Sequence, residues 1–120
     1  MTTILQFSIS GIIIPYVRMT QRSKFTKRAK IYLASQQGIQ VQLRNQMNNS
    51  SWDMLPGQTP LKVSLLIWCK KVHTKDSDNQ LKAVFDAGNK IIYPDDRWID
   101  RLRLERYEGE DKAIFTVEVI

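Results

Sequence analysis

The chain has 120 residues and a mass of 14.0 kDa, which is the size of one ordinary domain. Hydrophobic residues make up 42% and charged residues 25%, a balance typical of a globular protein and not of a disordered one. Cys69 is the only cysteine, which excludes a disulfide scaffold, and its apolar neighbours predict a buried side chain. A single histidine, His73, argues against a zinc site.

The net charge of +6 is concentrated in the first half of the chain. Residues 1–52 carry seven basic side chains and no acidic one, whereas the remainder carries eleven basic and twelve acidic side chains. Six of the seven fall within residues 18–30. A one-sided positive field attracts a polyanion, so we expect a nucleic acid as partner. The alternative is a solvated basic start of a helix.

The apolar stretch at residues 4–17 does not have the pattern of a targeting or membrane segment. It is shorter than the roughly 20 residues that a bilayer requires. Polar and helix-breaking residues interrupt it, and no basic residue precedes it. We therefore expect a cytoplasmic protein with no membrane partner.

The first half of the chain predicts a strand, a long helix and a second strand. Residues 4–14 have the composition of a strand. Residues 26–47 predict a helix capped by Thr26, with a buried stripe formed by Ala29, Tyr32, Leu33, Gln36 and Leu43. Residues 48–60 are polar and contain Pro56-Gly57, which indicates a loop. Leu61–Cys69 is apolar on both faces and predicts a central strand.

The second half predicts a short helix and two further strands. Apolar spacing indicates a helix over residues 79–90, and Pro94-Asp95-Asp96 indicates a turn. Residues 97–107 and 113–120 predict strands, and residues 108–111 have the composition of a hairpin turn between them. The order β-α-β-α-β-β predicts one α+β (mixed α/β) domain over residues 1–120, with a mixed sheet and two helices.

Acidic residues cluster where the second predicted strand gives way to the second helix. If Asp76 and Asp78 lie in extended chain, they share a face, because alternate residues of a strand point the same way. Two carboxylates so placed repel each other unless a cation lies between them. Oxygen ligands without cysteine or histidine favour Mg²⁺ or Mn²⁺. The alternative is structural, with Asp78 as a helix N-cap.

Two further features add to this acidic cluster. Asp95 and Asp96 occupy the next turn, and the intervening helix can return the chain to the same edge of the sheet. Lys82 lies one helical turn after Asp78, where its ammonium group can reach a phosphate. Taken alone, Asp95 and Asp96 also suit an ordinary turn. Together with the basic first half, the cluster favours a metal-dependent enzyme that acts on phosphodiesters.

The segment at residues 75–99, KDSDNQLKAVFDAGNKIIYPDDRWI, resembles the core motif of the RusA family of Holliday-junction resolvases. That motif is Asp-x-Asp-Asn-x-x-Lys-x-x-x-Asp, followed after a short helix by an aromatic residue and Asp-Asp. The matching positions are Asp76, Asp78, Asn79, Lys82, Asp86, Tyr93, Asp95 and Asp96. Residues 18–24, with Ala29 and Tyr32, look like the family's basic segment and first helix. Gly88 stands where the family usually has leucine.

The resemblance implies a homodimer that binds four-way DNA junctions and cuts two strands symmetrically with Mg²⁺, without a small-molecule cofactor. It also implies that Asp76, Asp78 and Asp96 coordinate the metal and that Lys82 is the catalytic lysine. Asn79, Asp86 and Asp95 are second candidates for the site. The residues expected to contact DNA phosphates are Arg18, Arg22, Lys24, Lys75 and Arg97.

Two other functions remain open from the sequence. The first is a non-catalytic basic DNA-binding module with a structural acidic cluster. The second is a metal-dependent enzyme for small phosphorylated molecules, which would not need the basic first half. A dimer also needs an interface, for which the apolar candidates are Trp68, Ile91, Ile92 and Trp98, although each of them also suits a core position.

Overall fold

A computed structural model describes residues 3–18, 20 and 26–120. Within these ranges there are two helices, α1 (Lys27–Asn49) and α2 (Ser77–Gly88). The strands are β1 (Ile4–Ser10), β2 (Leu61–Cys69), β3 (Ile99–Glu108) and β4 (Lys112–Val119). Short 3₁₀ turns cover Val72–Thr74 and Asp96–Trp98. The predicted α+β class, the β-α-β-α-β-β order and the mixed sheet are confirmed.

The four strands form one sheet in the order β1-β4-β2-β3. β2 is parallel to β3 and antiparallel to β4, and β1 is antiparallel to β4. The predicted central position of β2 is therefore confirmed. Both helices pack against the sheet within one hydrophobic core that also receives the alternate buried residues of β1, β2 and β4.

The predicted hairpin between the last two strands is wrong, because β2 lies between β3 and β4. Residues 109–111 cross the end of β2 instead of folding one strand back on the other. Two hydrogen bonds fix this crossing: Gly109 N donates to the Cys69 carbonyl at 3.2 Å, and Lys70 N donates to Asp111 Oδ1 at 3.2 Å. A turn-forming composition indicates a change of direction, but it does not select the partner of the next strand.

β1 is shorter than residues 4–14. It ends at Ser10 because Gly11 adopts φ +94°, a conformation that L side chains rarely adopt, and its N–H donates to the Asp111 carbonyl. The chain then leaves the sheet, although Ile13 remains buried. This exit directs residues 14–18 towards α2, which is important for the candidate site.

The long helix has the predicted cap and most of the predicted buried stripe. Thr26 Oγ1 accepts a hydrogen bond from Ala29 N at 3.2 Å. Leu33 was expected in the stripe, but it is 41% exposed, and Ile39 and Met47 complete the stripe instead. Buried Gln36 joins the two helices, since its Nε2 donates to Tyr32 Oη and to the Ala83 carbonyl, both at 2.7 Å.

The burial of individual side chains tests the expectations for Cys69 and for the apolar interface candidates. Cys69 is buried, as predicted. Ile91 and Ile92 belong to the core and are not available to a dimer interface, whereas Trp68 and Trp98 are partly exposed. No helix within the described ranges is long and apolar enough to cross a membrane.

Candidate active site

The acidic cluster begins at the amino end of α2. Asp76 is the N-cap, and its Oδ1 accepts a hydrogen bond from Asn79 N at 3.1 Å. Asp78 lies in the first helical turn, where a negative charge is favourable. The expected extended arrangement of these two residues is therefore wrong, because the helix already begins at Ser77 and not at Asn79. Asp76, and not Asp78, is the capping residue.

One face of α2 carries a stripe of charged side chains. Asp78, Lys82 and Asp86 follow each other at intervals of four residues, so each lies one turn from the next. Lys82 is exposed and Asp86 is partly buried. The stripe thus presents one ammonium group between two carboxylates.

The carboxyl end of this stripe meets the turn that contains Asp95 and Asp96. Burial raises the pKa of Asp86, the charge of Asp96 raises it further, and Lys82 opposes both effects. Burial and the neighbouring Asp95 raise the pKa of Asp96. A hydrogen bond from Arg97 N, 2.9 Å from Asp95 Oδ1, lowers the pKa of Asp95. Asp86 and Asp96 are therefore partly buried carboxyls that repel each other.

Asn89 contributes a side-chain amide group close to Asp96. Its side-chain amide acts on the Asp96 carboxylate as a hydrogen-bond donor would and lowers the pKa of Asp96. Its Oδ1 is buried and has no hydrogen-bond partner among the described residues. Buried polar atoms normally have a partner, so this oxygen near the Asp96 carboxylate is available to a water molecule or to a hard cation such as Mg²⁺ or Mn²⁺.

The turn that carries Asp95 and Asp96 is supported by Tyr93. This side chain is fully buried, and its Oη donates to the Phe85 carbonyl at 2.9 Å. A Cβ at Gly88 would lie 2.6 Å from Tyr93 Oη and 2.9 Å from its Cζ. The glycine at a position where the family usually has leucine therefore accommodates the tyrosine ring.

The structure does not gather all the predicted ligands. The described part of the chain contains no group of three or more His, Cys, Asp or Glu side chains that could hold a metal ion. Asp86 lies near Asp96, and Asp95 adjoins Asp96 in the chain, but Asp76 and Asp78 lie at the opposite end of α2. Eight residues separate Asp78 from Asp86, which corresponds to about 12 Å along the helix axis.

The residues expected to contact DNA lie in different places. Arg18 is exposed beside Lys82, and both line a cavity of about 420 Å³ together with Tyr16, Val17, Arg28 and Asn79. Arg97 places its guanidinium 5.1 Å from the centre of the Trp98 ring. The Lys75 carbonyl accepts a hydrogen bond from Arg106 Nη1 at 2.7 Å. Arg22 and Lys24 lie outside the described residues.

Sequence reasoning did not select Arg28, Tyr16 or Asn89. Arg28 belongs to the basic cluster, but nothing in the sequence distinguishes it from Lys27 or Lys30. Its position beside Lys82 follows from the contact between α1 and α2, which spans about fifty residues of chain. Asn89 follows a helix end, where asparagine is common, and this gives no sign of a link to Asp96.

Comparison with known families identifies the class of protein. The family described as Endodeoxyribonuclease RusA matches residues 15–120, which include every candidate site residue described above. The match therefore defines an endonuclease, an enzyme that cuts within a DNA strand, of the kind that resolves Holliday junctions. The chain belongs to the RusA endodeoxyribonuclease family. No curated protein matches the chain.

Proposed function

We propose that this protein resolves four-way DNA junctions by divalent-metal-dependent hydrolysis of phosphodiester bonds, with paired cuts made by a homodimer. The observation that carries the proposal is the charged stripe of α2, on which Lys82 lies between Asp78 and Asp86. A lysine in this position can contact a phosphate while neighbouring carboxylates hold a cation. Family membership supports DNA as the polymer that is cut.

Asp76, Asp78 and Asp96 are the proposed cation-holding residues. Asp76 and Asp78 lie about 12 Å or more along α2 from Asp86, so they would hold a cation apart from the one held by Asp96 with Asp86 and Asn89. The cap made by Asp76 is compatible with this role, because a carboxylate has a second oxygen that can bind a cation. Mg²⁺ is the proposed ion, with Mn²⁺ as a substitute. When bound, the ion lowers the pKa of water and offsets negative charge on the phosphate.

Lys82 is the proposed catalytic lysine. Its ammonium group would contact a phosphate oxygen and stabilise the negative charge that develops as the phosphodiester bond breaks. The exposure of this side chain and its place on the α2 stripe support that role. The proposed contacts to the DNA backbone are made by Arg18, Arg22, Lys24, Lys75 and Arg97, and such contacts position DNA without reading its sequence.

The homodimer follows from the symmetry of the substrate. A four-way junction has approximate two-fold symmetry, and its resolution needs matched cuts in two strands. One chain offers one charged stripe, so two chains related by a two-fold axis would supply two sites at a fixed separation. Trp68, stacked on Tyr107 at 5.4 Å, and Trp98 are both partly exposed and are the remaining apolar candidates for the interface.

A cleavage assay tests this proposal. Labelled four-way junction, linear duplex and single strand are incubated with the protein and Mg²⁺, and cuts are mapped on both strands. Asp78→Asn and Asp96→Asn are expected to abolish cleavage and to preserve junction binding, because each removes a cation-holding carboxylate and a negative charge near the phosphates. Asp53→Asn, at an exposed position in the loop before β2, is the matched control and should cut normally.

The same assay separates the two alternatives. A non-catalytic DNA-binding module would shift the junction on a gel without cutting it. An enzyme for small phosphorylated molecules would keep its activity after Arg18, Arg22 and Lys24 are neutralised together. Normal cleavage by both Asp78→Asn and Asp96→Asn would overturn the assignment of the metal-binding residues.

A further inference from the structure

The cavity beside Lys82 has the properties of a phosphate-binding site. We call it the Arg28 recess; it has a volume of about 420 Å³ and is lined by Tyr16, Val17, Arg18, Arg28, Asn79 and Lys82. We propose that the Arg28 recess binds one backbone phosphate of the DNA next to the phosphate that is cut, with Arg28 as its main cation and Tyr16 as the positioning residue for Lys82. This inference rests on the proposed function.

The wall of the recess is held in place by contacts on both sides of Tyr16. Tyr16 N donates to the Asn79 carbonyl at 2.8 Å, which ties the segment after β1 to the first turn of α2. The Tyr16 ring packs edge-on against the buried Tyr32 ring, with centroids 5.7 Å apart. The recess therefore has a preformed wall, and ligand binding does not need to order it.

Tyr16 also fixes the position of Lys82. The Lys82 ammonium lies 4.9 Å from the centre of the Tyr16 ring, within the range of a cation–π interaction. Lys82 thus belongs both to the recess and to the charged stripe of α2. A phosphate held in the recess would place the adjacent phosphodiester beside the carboxylates of that stripe.

The charge of the recess calls for an anion. Arg18, Arg28 and Lys82 are basic, and none of the described residues that line the recess is acidic. α1 begins with basic residues and has no acidic residue in its first turn, although the helix dipole favours negative charge there. Stability alone does not account for this choice of residues, whereas an anionic ligand at the recess does.

Arg28→Ala tests the recess by its effect on DNA binding in EDTA, where no metal is present. Affinity for a four-way junction is measured against salt concentration. One lost phosphate contact should reduce the log–log slope by about one unit and weaken binding equally for different sequences. Arg28→Lys should retain the slope. Because a cation near a helix amino end is unfavourable, Arg28→Ala should unfold at or above the wild-type temperature.

Lys30→Ala is the matched control. It removes the same charge from the same helix, but Lys30 lies about 200° around the axis from Arg28 and does not line the recess. An equal change of slope in both variants would overturn the proposal, since it would indicate a diffuse basic field. An unchanged slope in Arg28→Ala would overturn it as well.

Tyr16 is tested by a separate comparison. Tyr16→Phe keeps the ring and should keep kcat, whereas Tyr16→Leu should lower kcat more than it raises KM, because Lys82 loses its support. Equal kcat in the two variants would refute the positioning role. Failure of the wild-type protein to cut junctions would refute the proposed function. The phosphate-binding role of the Arg28 recess would still be tested by the salt dependence with which Arg28→Ala and Lys30→Ala bind plain duplex DNA.

Discussion

Gly88→Ala should destabilise the protein even though alanine is the better helix former. The added Cβ would lie 2.6 Å from Tyr93 Oη and 2.9 Å from Tyr93 Cζ, distances that real Cβ atoms essentially never show. The Tyr93 ring has no space to retreat, because it is fully buried and its hydroxyl is bound to the Phe85 carbonyl. Overpacking of this kind costs about 1–3 kcal/mol.

The intrinsic preference for alanine partly offsets this cost. Replacing glycine in a helix gains about 0.5–1 kcal/mol, which leaves a net loss of up to about 2.5 kcal/mol. For a chain of this length, that loss lowers Tm by up to about 10 °C. Urea titration and thermal unfolding, both followed by circular dichroism, measure the two quantities.

Gly38→Ala provides the matched control within the same protein. A Cβ at Gly38 meets nothing within 4 Å, so this substitution should stabilise α1 by about 0.5–1 kcal/mol. Tyr93→Phe in the Gly88→Ala background should recover part of the loss, because it removes the nearest atom. If Gly88→Ala stabilises the protein as much as Gly38→Ala does, the steric reasoning is refuted.

Three further predictions follow from the corner around Asp96 and from the proposed assembly. Asp86→Asn should stabilise the metal-free protein at pH 7 by less than about 1 kcal/mol, since both carboxyls remain partly solvated. The raised pKa of Asp86 means that the folded state favours the protonated carboxyl, which asparagine resembles. The gain in stability should therefore vanish as the pH falls through that pKa towards 3.8. A gain that persists below pH 3.8 would contradict this explanation. Lys90→Gly should raise the free energy of unfolding, measured by urea titration, by about 0.5–1 kcal/mol, because Lys90 has φ +67°, a backbone conformation that favours glycine. A loss of stability would show that the contacts of the Lys90 side chain outweigh the backbone strain. Sedimentation at micromolar concentration should give twice 14.0 kDa, and a 14.0 kDa species that makes paired cuts would exclude an obligate dimer.

Local patterns predicted the elements of the fold because their causes are local. The Thr26 cap, the apolar spacing of α2 and the apolar run of β2 each depend on neighbouring residues. The partner of β4 depends on which strands already lie side by side, and no nearby residue encodes that choice. Leu33 illustrates the same limit, since its exposure follows from the orientation of α1 on the sheet.

The sequence named the residues of the candidate site, which stay predictions, but it did not give their geometry. The motif predicted a site on α2 and the following turn, and Lys82 lies on the predicted helix. The alternation argument failed at Asp76 and Asp78 because the helix begins two residues earlier than expected. Arg28 and Tyr16 reach Lys82 through the packing of α1 and of the segment after β1, which a linear pattern does not describe.

The place of β4 in the sheet has a consequence for biosynthesis. Among the described strands, β1 is hydrogen-bonded to β4 alone, yet about a hundred residues separate the two in the chain. The ribosome therefore releases β1 long before its partner exists. A nascent chain that stops before residue 112 exposes the apolar face of β1 and an unpaired edge of β2, both of which favour aggregation. Slow translation of residues 99–111 should therefore lower the yield of folded protein.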